Sequence, residues 1–211
     1  MVPTKEEMLA AFENRHGKEL QQKFSNATVA VCGLGGLGSN ISIALARAGI
    51  GRLILTDFDR VDVSNLHRQQ YKASQVGMLK TEALFQNLRE IAPYSELTVN
   101  NAKITAENAV ELLQGADIVC EAFDNALAKA ELVNTVLGCM PDTIVVAASG
   151  MAGAGSPNEI RTKRISKRFY LCGDFVTEVK EADGLFASRV MLCAAHQAHT
   201  VLRVLVGKYN V

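Results

Sequence analysis

The sequence lacks an excess of charge of either sign, a long apolar run and a high proline content. Lysine plus arginine and aspartate plus glutamate number 22 each, so no field of one sign predicts a nucleic acid or an anionic membrane as partner. No apolar run approaches the ~20 residues of a membrane span, and the charged, helix-like N-terminus does not resemble a signal peptide. With 48% apolar residues and 4 prolines, the chain is expected to fold as a globular protein.

The five cysteines are odd in number and widely scattered along the sequence. Cys32 and Cys120 lie in apolar, strand-like runs, where a thiol behaves as a small core hydrophobe. We therefore expect a reduced, cytoplasmic protein. Cys193, His196 and His199 recur at intervals of three on a predicted helix and could bind a metal, but packed Cys and His side chains suit so apolar a helix better.

Short apolar runs alternate with helical patterns through most of the chain. This alternation predicts an α/β fold with a doubly wound (Rossmann-like), mainly parallel sheet and helices on both faces. The predicted strands are 28–32, 52–56, 97–101, 117–121 and 143–148. The predicted helices are 36–49, 80–91, 105–114 and 125–139.

We expect the 211 residues to form one domain in three parts. Residues 1–26 form an N-terminal helical arm, residues 27–150 the nucleotide-binding core and residues 151–211 a C-terminal part. In the arm, helical spacing over 4–24 is interrupted by Gly17, which predicts two short helices or a kinked one.

The alternation of strands and helices stops after residue 148. Residues 149–157 are rich in glycine and alanine, which predicts an exposed, mobile backbone. Residues 158–180 are basic and predicted to be irregular. Residues 185–207 resume a strongly apolar helical pattern and should bury one face of a helix.

The prediction of nucleotide binding depends on Gly33, Gly35 and Gly38, which follow the first strand and open the first helix of the core. Their missing side chains permit a tight turn, and the amide groups at a helix N-terminus face an anion. Asp57 ends the second strand 19 residues after Gly38, where such folds place a carboxylate against ribose hydroxyls. This arrangement serves NAD and ATP alike.

The polar residues that follow favour ATP chemistry over hydride transfer. Asn65, Arg68 and Lys80 follow the second strand, and Asp124 follows the fourth. Joining a carboxylate to an α-phosphate brings two anions together, and their repulsion at ~4 Å is worth ~4 kcal/mol at an effective dielectric near 20. Such a site needs cations around the triphosphate and an acid that holds Mg²⁺. We therefore interpret these residues as a site that adenylates a carboxylate.

In order along the sequence, these motifs resemble the ThiF/MoeB/HesA family, the bacterial relatives of ubiquitin-activating enzymes. The resemblance covers roughly residues 15–155 and includes Gly33-Leu-Gly-Gly-Leu-Gly-Ser, Asp57-Phe-Asp59, Ser-Asn65-Leu-x-Arg68-Gln69, Lys80 and Asp124-Asn125. It implies an adenylyltransferase that uses ATP and Mg²⁺ to adenylate the C-terminal glycine of a small ubiquitin-like sulfur carrier, with release of pyrophosphate.

The resemblance also implies a role for each matched position. Gly36 would lie against ATP, Asp57 would hold the ribose, and Asp124 would ligate Mg²⁺. Family members reach an N-terminal arginine across a dimer interface, which makes Arg15 a candidate catalytic residue and predicts a homodimer. Asn65, Arg68 and Lys80 would contact phosphates, and the further site positions are Gly33, Gly35, Asp59, Ser64, Leu66, His67, Gln69 and Asn125.

The sequence departs from parts of the family pattern. Zinc-bearing relatives carry two Cys-x-x-Cys pairs, which are absent here, and the lone Cys172 cannot complete a four-ligand site, so zinc is not expected. The sulfur-transfer cysteine would fall near Lys180, so we expect the adenylate to pass to a separate sulfur donor. Short ThiF-like members of thiamine (thiazole) biosynthesis, with a ThiS-like carrier, have this pattern. Residues 149–157 are then a candidate channel for the carrier tail, on the carrier side of the chain.

Three alternatives to this adenylyltransferase remain open. The chain could adenylate another carboxylate, on a molybdopterin-type carrier, a small molecule or a tRNA-bound threonylcarbamoyl group, although neutral net charge and the lack of a basic run argue against tRNA. It could be an NAD-dependent oxidoreductase that uses only the glycines and Asp57. It could also be a non-catalytic, ATP-sensing scaffold.

Overall fold

The computed structural model describes residues 2–178 and 184–211, in which one seven-stranded sheet is flanked by helices. The strands are β1 (Thr28–Cys32), β2 (Arg52–Thr56), β3 (Glu96–Asn100), β4 (Ile118–Glu121), β5 (Ile144–Ala148), β6 (Arg161–Ser166) and β7 (Phe169–Gly173). The α-helices are α1 (Lys5–His16), α2 (Lys18–Asn26), α3 (Gly36–Arg47), α4 (Lys80–Ile91), α5 (Ala109–Leu112), α6 (Ala126–Cys139) and α7 (Ala187–Leu205).

The sheet has the strand order β3-β2-β1-β4-β5-β7-β6, and every neighbouring pair except β6 with β7 is parallel. The chain moves outward from β1 to β3 and then crosses back to start β4 on the other side of β1. The crevice at the carboxyl ends of β1 and β4 is therefore the position at which doubly wound sheets bind ligands. The predicted fold class is confirmed.

Alternate side chains of each central strand face two separate cores. In β1, Val29 and Val31 join the core covered by α3, α4 and α7, whereas Ala30 and Cys32 join the core covered by α5 and α6. Burial on both faces explains why the central strands are continuous apolar runs in the sequence. None of the helices in the described ranges combines the length and apolarity needed to cross a bilayer.

The N-terminal extension consists of two helices that meet at Gly17, whose φ of 85° is open to glycine at little cost. Thr4 caps α1 with a capping box that includes Glu7. In α2, Gln21 and Phe24 are buried, whereas α1 has no buried residue. The two-helix form of the prediction is the one observed.

The predicted helix 105–114 is wrong in extent, because only the single turn Ala109–Leu112 forms. The Asn108 side chain accepts a hydrogen bond from Thr105 N at 2.8 Å and donates one to Lys103 O at 2.9 Å. These local bonds offer the backbone an alternative to helical pairing.

The prediction of irregular structure over 158–180 is also wrong, because an antiparallel hairpin of β6 and β7 occupies residues 161–173. Tyr170 and Cys172 of β7 are fully buried, whereas β6 is exposed along most of its length. Charged side chains on an edge strand hide the alternation by which strands are recognised.

The loop 149–157 is more enclosed than its composition predicts. Ala152 is buried, and Gly153 N donates to Gly184 O at 2.8 Å. Arg189 Nη1 donates to both Gly155 O and Ser156 O at 2.7 Å. The loop is therefore attached at several points to the start of α7, and its exposed part begins at residue 154.

Candidate functional site

The glycine loop between β1 and α3 has the tight geometry that the sequence predicts. Gly33 has a φ of 87°, and a Cβ atom there would lie 2.9 Å from both Ala122 O and the Phe123 ring. A Cβ atom at Gly38 would lie 1.8 Å from Gly33 O. The first turn of α3 can therefore close against the loop only with glycine at both positions, so that the helix N-terminus opens into the crevice.

Replacing Gly38 by alanine is expected to destabilise the protein by about 2 kcal/mol or more, because the loop must move to admit the methyl group. Gly138 in α6 provides a control, since no atom lies within 4 Å of a Cβ placed there. Gly138→Ala should be neutral or stabilise by up to about 1 kcal/mol. Denaturant unfolding of both variants measures the contrast, and equal effects would contradict the close packing at Gly38.

Asp57 lies at the carboxyl end of β2 with its carboxylate beneath the glycine loop. Its Oδ2 accepts a hydrogen bond from Leu34 N at 2.6 Å, and its Oδ1 accepts one from Asp59 N at 2.8 Å. Tyr71 donates its hydroxyl to Leu34 O at 2.7 Å. Burial, followed by the charges of Asp57 and Asp59, raises the pKa of Tyr71 well above its ordinary value, so the phenol stays a neutral donor. These bonds fix the carboxylate beside the loop.

Lys80 begins α4 and is almost wholly buried, with 6% of its surface exposed. Its Nζ lies 2.9 Å from Asp59 Oδ2, and its backbone N donates to Asp59 O at the same distance. The half-exposed Asp59 thus holds the ammonium group of Lys80 in place. Asp59 in turn donates its backbone N to Asp57 Oδ1, so the buried Lys80 is linked to the Asp57 region through Asp59.

The loop after β2 contains a short 3₁₀ turn, Val63–Asn65. Asp62 caps it by accepting from Ser64 N at 2.8 Å and Ser64 Oγ at 2.5 Å, and Asn65 Oδ1 accepts from Asp62 N at 3.2 Å. His67 Nδ1 lies 2.8 Å from Ser64 O. Ser64 and Asn65 therefore shape this loop through bonds to its own backbone.

Arg68 and Gln69 follow this turn and lie against the glycine loop. The Cγ and Cδ atoms of Arg68 are 3.5 and 3.6 Å from a Cβ placed at Gly36, and Val190 of α7 contacts the same point at 3.0 Å. Gln69 Nε2 is 3.7 Å from a Cβ placed at Gly35. Any side chain at Gly36 would push Arg68 or α7 away from the start of α3. The neighbouring Leu66 is half-buried and packs on the core below.

Asp124 lies in the loop that follows β4 and is exposed to solvent. Ala122 and Phe123, the two residues before Asp124, lie against the glycine loop at Gly33. Asn125 caps α6 by accepting from Leu127 N and Ala128 N, each at 3.0 Å. The Asn125 oxygen is thus committed to the helix, whereas the Asp124 carboxylate is available at the mouth of the crevice.

Asp124 suits Mg²⁺ better than a metal held entirely by protein. The described residues contain no group of three or more His, Cys, Asp or Glu side chains that could hold a metal ion. Magnesium is usually held by one or two carboxylates together with substrate phosphates and water. A single exposed carboxylate beside a phosphate-binding loop fits that pattern.

The remaining candidate residues lie apart from the crevice or outside the described residues. Arg15 is exposed in the last turn of α1. Cys172 is buried, and burial raises the pKa of its thiol, which disfavours the reactive thiolate. His196 lies beside Thr162, with Nδ1 3.1 Å from its Oγ1. Lys180, the position predicted to replace the sulfur-transfer cysteine, falls outside the described residues.

The ThiF family model matches residues 8–211. The chain belongs to the ThiF family. The adenylyltransferase and sulfurtransferase UBA4 of Lodderomyces elongisporus is 30% identical over 196 residues, which cover 90% of this chain and 43% of that protein. The tRNA threonylcarbamoyladenosine dehydratase of Escherichia coli is 33% identical over 155 residues, covering 72% and 57% of the two chains. This ThiF-family chain thus spans less than two thirds of these relatives.

Two solved structures share this fold. Escherichia coli tRNA N6-threonylcarbamoyladenosine dehydratase in complex with ATP gives a TM-score of 0.87 at 22% identity, covering 99% of this chain and 98% of that one. Escherichia coli MccB with ATP gives 0.70 at 23% identity, covering 90% and 58%. At these identities the comparison shows a common architecture.

Sequence reasoning missed an ion pair directly below the Asp124 loop of this ThiF-family chain. Glu121 is fully buried at the end of β4, and its Oε2 lies 2.5 Å from Lys129 Nζ of α6. Its Oε1 accepts from Phe123 N at 2.7 Å. Burial raises the pKa of Glu121 despite the opposing effect of Lys129. The sequence signal for this pair was a glutamate at the end of an apolar strand. A lysine follows it eight residues later on the next predicted helix.

A second missed cluster joins β7, the loop 149–157 and α7. Arg189 Nη2 lies 2.8 Å from Asp174 Oδ2 and 3.2 Å from Glu159 Oε2, and both Arg189 and Asp174 are buried. Asp174 also accepts bonds from the backbone of Val176 and from the backbone and hydroxyl of Thr177. Since Val190 contacts Gly36, this cluster connects the loop to the phosphate end of α3 through one turn of α7.

Asp174 should make stability depend on pH under acid conditions. Burial alone would raise its pKa, but hydrogen bonds from Thr177, Val176 and Arg189 outweigh it and lower the pKa to about 2. Because the folded pKa is lowered, the stabilisation is complete above the ordinary pKa of about 3.9 and is lost as the pH falls toward 2. The free-energy difference between wild type and Asp174→Asn should shrink by about 2 kcal/mol across that window. Urea unfolding as a function of pH measures it, and a constant difference would contradict this assignment.

Proposed function

We propose that this chain catalyses the ATP- and Mg²⁺-dependent adenylation of a substrate carboxylate, with release of pyrophosphate. The observation that carries the proposal is the packing of the Arg68 side-chain stem against Gly36 at the start of α3, with no acidic side chain paired to Arg68 among the described residues. A dehydrogenase needs the glycines and Asp57 but no cations around a triphosphate. The names of the family relatives, which include adenylyltransferases, support the same reaction.

Each residue of the crevice has a part in this reaction. The braced Asp57 carboxylate accepts hydrogen bonds from the ribose hydroxyls. The N-terminus of α3, Arg68 and Lys80 hold the triphosphate and offset the repulsion between it and the attacking carboxylate. Magnesium, ligated by Asp124, supplies further charge neutralisation when bound. Glu121 holds the backbone of the loop that carries Asp124 by accepting from Phe123 N.

As the substrate we propose the C-terminal glycine of a ThiS-like sulfur carrier in thiamine (thiazole) biosynthesis, with a separate protein as sulfur donor. The similarity to adenylyltransferase and sulfurtransferase proteins such as UBA4 supports a carrier of this kind. In this proposal the enzyme is a cytoplasmic homodimer, and Arg15 reaches the site of the other subunit. The exposed position of Arg15 on a helix with no buried residue leaves it available for such a contact.

A second candidate substrate is a carboxylate carried by RNA, such as a tRNA-bound threonylcarbamoyl group. The observation in its favour is the 33% identity to the Escherichia coli tRNA threonylcarbamoyladenosine dehydratase over 155 residues. The proposed chemistry at the α-phosphate is the same for both candidates, and only the group that brings the carboxylate differs.

Exchange of labelled pyrophosphate into ATP tests the proposal directly. Exchange should require Mg²⁺ and a carrier protein with an intact Gly-Gly end, and it should stop when those two residues are removed from the carrier. Exchange that depends on tRNA would instead support the second candidate. If the chain binds ATP but supports no exchange with either, the proposed function is wrong.

A further inference from the structure

The edge strand β6 and the turn that follows it carry a concentrated row of positive charge. Five of the eight residues from 161 to 168 are arginine or lysine, and none is acidic. Neutral net charge and the lack of a basic run are the sequence-based grounds against tRNA, but residues 161–168 are such a run within the basic segment 158–180. Charge that is balanced over the whole chain can still be strongly uneven over its surface.

Four of these five residues, Arg161, Lys163, Arg164 and Lys167, are exposed, and we call them the β6 strip. Arg168 is different, because its guanidinium donates to Leu137 O, Met140 O and Thr143 O and so fixes the end of α6. The strip belongs to the strand that ends the sheet, next to β7 on one side only.

The strip keeps its charge in the folded protein. None of the ion pairs found among residues 2–178 and 184–211 includes a member of the strip. Aromatic rings support the cations instead. Lys163 Nζ lies 4.0 Å from the centre of the Phe175 ring, and Arg164 lies 5.7 Å from the Tyr170 ring and 5.6 Å from the Tyr209 ring. These contacts orient the side chains without neutralising them.

The strip extends to the edge of the sheet that contains the candidate site. Arg161 pairs with Gly173, at the carboxyl end of the parallel strand β7, because β6 runs antiparallel to it. Arg161 and Lys163 lie on one face of β6, over the Phe175 ring, whereas Arg164 lies on the opposite face, so the strip surrounds the exposed edge of the sheet. At about 3.3 Å per residue, β6 is roughly 17 Å long. A linear polyanion bound along this strand would have one end at the carboxyl edge of the sheet, with β7 and β5 between it and β4.

Charged residues on an edge strand also prevent edge-to-edge pairing, and that role alone would not require a ligand. Prevention of edge pairing does not explain why all the charges on β6 are positive, or why three aromatic rings lie against them. A protein partner would need an apolar centre in its interface, and Ile165 is the only large apolar residue that β6 exposes. Interfaces with nucleic acids are more polar and far more positive, and they combine cations with aromatic rings.

We propose that the β6 strip binds the phosphate backbone of an RNA. This inference goes beyond the proposed adenylation and does not depend on it, because RNA binding can be measured without ATP or a carboxylate. If both hold, the RNA-borne carboxylate becomes the favoured substrate over a carrier protein.

The test is fluorescence anisotropy with two labelled probes, a single-stranded RNA of about 20 nucleotides and a bulk tRNA fraction, across a salt series. In the test variant Arg161, Lys163 and Lys167 are all replaced by glutamine, and Arg164 is kept because it also bonds to Ser166 O and Lys167 O. At about 0.7 per phosphate contact on a single strand, the slope of log K against log salt should fall by about 2. The Kd should rise roughly tenfold or more at physiological salt.

The matched control replaces Lys5, Lys18 and Arg47 by glutamine, one arginine and two lysines that are exposed elsewhere. It changes the net charge equally and should keep the wild-type slope. Thermal unfolding must be the same for both variants; if the triple variant is less stable, Lys163→Gln with Lys167→Gln takes its place. Equal losses in both variants, an unchanged slope in the strip variant, or strip-dependent binding only to polyglutamate or anionic vesicles would each overturn the proposal.

Discussion

Asp124→Ala should lower the rate of pyrophosphate exchange about a hundredfold or more while weakening ATP binding by less than about tenfold. The Asp124 carboxylate is exposed in the loop after β4, and in the proposed function it would hold Mg²⁺ beside the phosphates. In the proposed function the ribose is held by Asp57, and the phosphates by the N-terminus of α3, Arg68 and Lys80. Loss of the Asp124 carboxylate should therefore remove charge stabilisation of the departing pyrophosphate more than it removes affinity for the nucleotide.

Magnesium titrations make this prediction specific. The Mg²⁺ concentration for half-maximal exchange should rise in Asp124→Ala, and Asp124→Asn should fall between the alanine variant and wild type. Asp142→Ala is a suitable control, because Asp142 is also exposed but precedes β5 at the opposite edge of the sheet. A variant with normal exchange, or one whose ATP affinity and rate fall equally, would remove Asp124 from the role of metal ligand.

The sequence predicts the parts of the fold in which local pattern and final environment agree. The boundaries of β1 and β2 match the prediction at every residue, because strands buried on both faces are continuous apolar runs. The start of α4 at Lys80 is also as predicted. The hydrophobic pattern of the sequence fails to predict the structure in two situations. One is where side chains bond to the nearby backbone, as at Asn108, and the other is where an edge strand is charged, as at Arg161.

The candidate site divides in the same way. The glycine loop is one contiguous segment and Asp57 through Gln69 is another. The residue types and their order within each segment therefore identify them. Asp174 and Arg189 meet only because β7 inserts beside β5 and α7 returns across the sheet. Glu121 and Lys129 meet because α6 packs back on β4. Pairs that meet only through the topology of the fold have no local sequence pattern. Sequence reasoning therefore finds the candidate binding residues but not the buried ion pairs that hold them in place.

Arg68→Ala should slow exchange by roughly a hundredfold, with a much smaller change in the KM for ATP. The Arg68 stem is held over Gly36, and its Nη1 donates to Ser64 O at 3.1 Å, but no acidic side chain pairs with it within the described ranges. A cation that is already oriented stabilises charge that develops during reaction without a cost of reorganisation.

Comparison with two further variants separates charge from geometry at Arg68. Arg68→Lys keeps the charge and loses the planar pair of donors, so its rate should fall between wild type and alanine. Arg47→Ala, at the other end of α3, removes an exposed arginine from the same helix and should leave exchange within about twofold of wild type. The half-maximal Mg²⁺ concentration should stay constant in Arg68→Ala, unlike in Asp124→Ala. If Arg68→Ala exchanges at the wild-type rate, Arg68 does not stabilise the charge of the triphosphate and the role assigned to it is wrong.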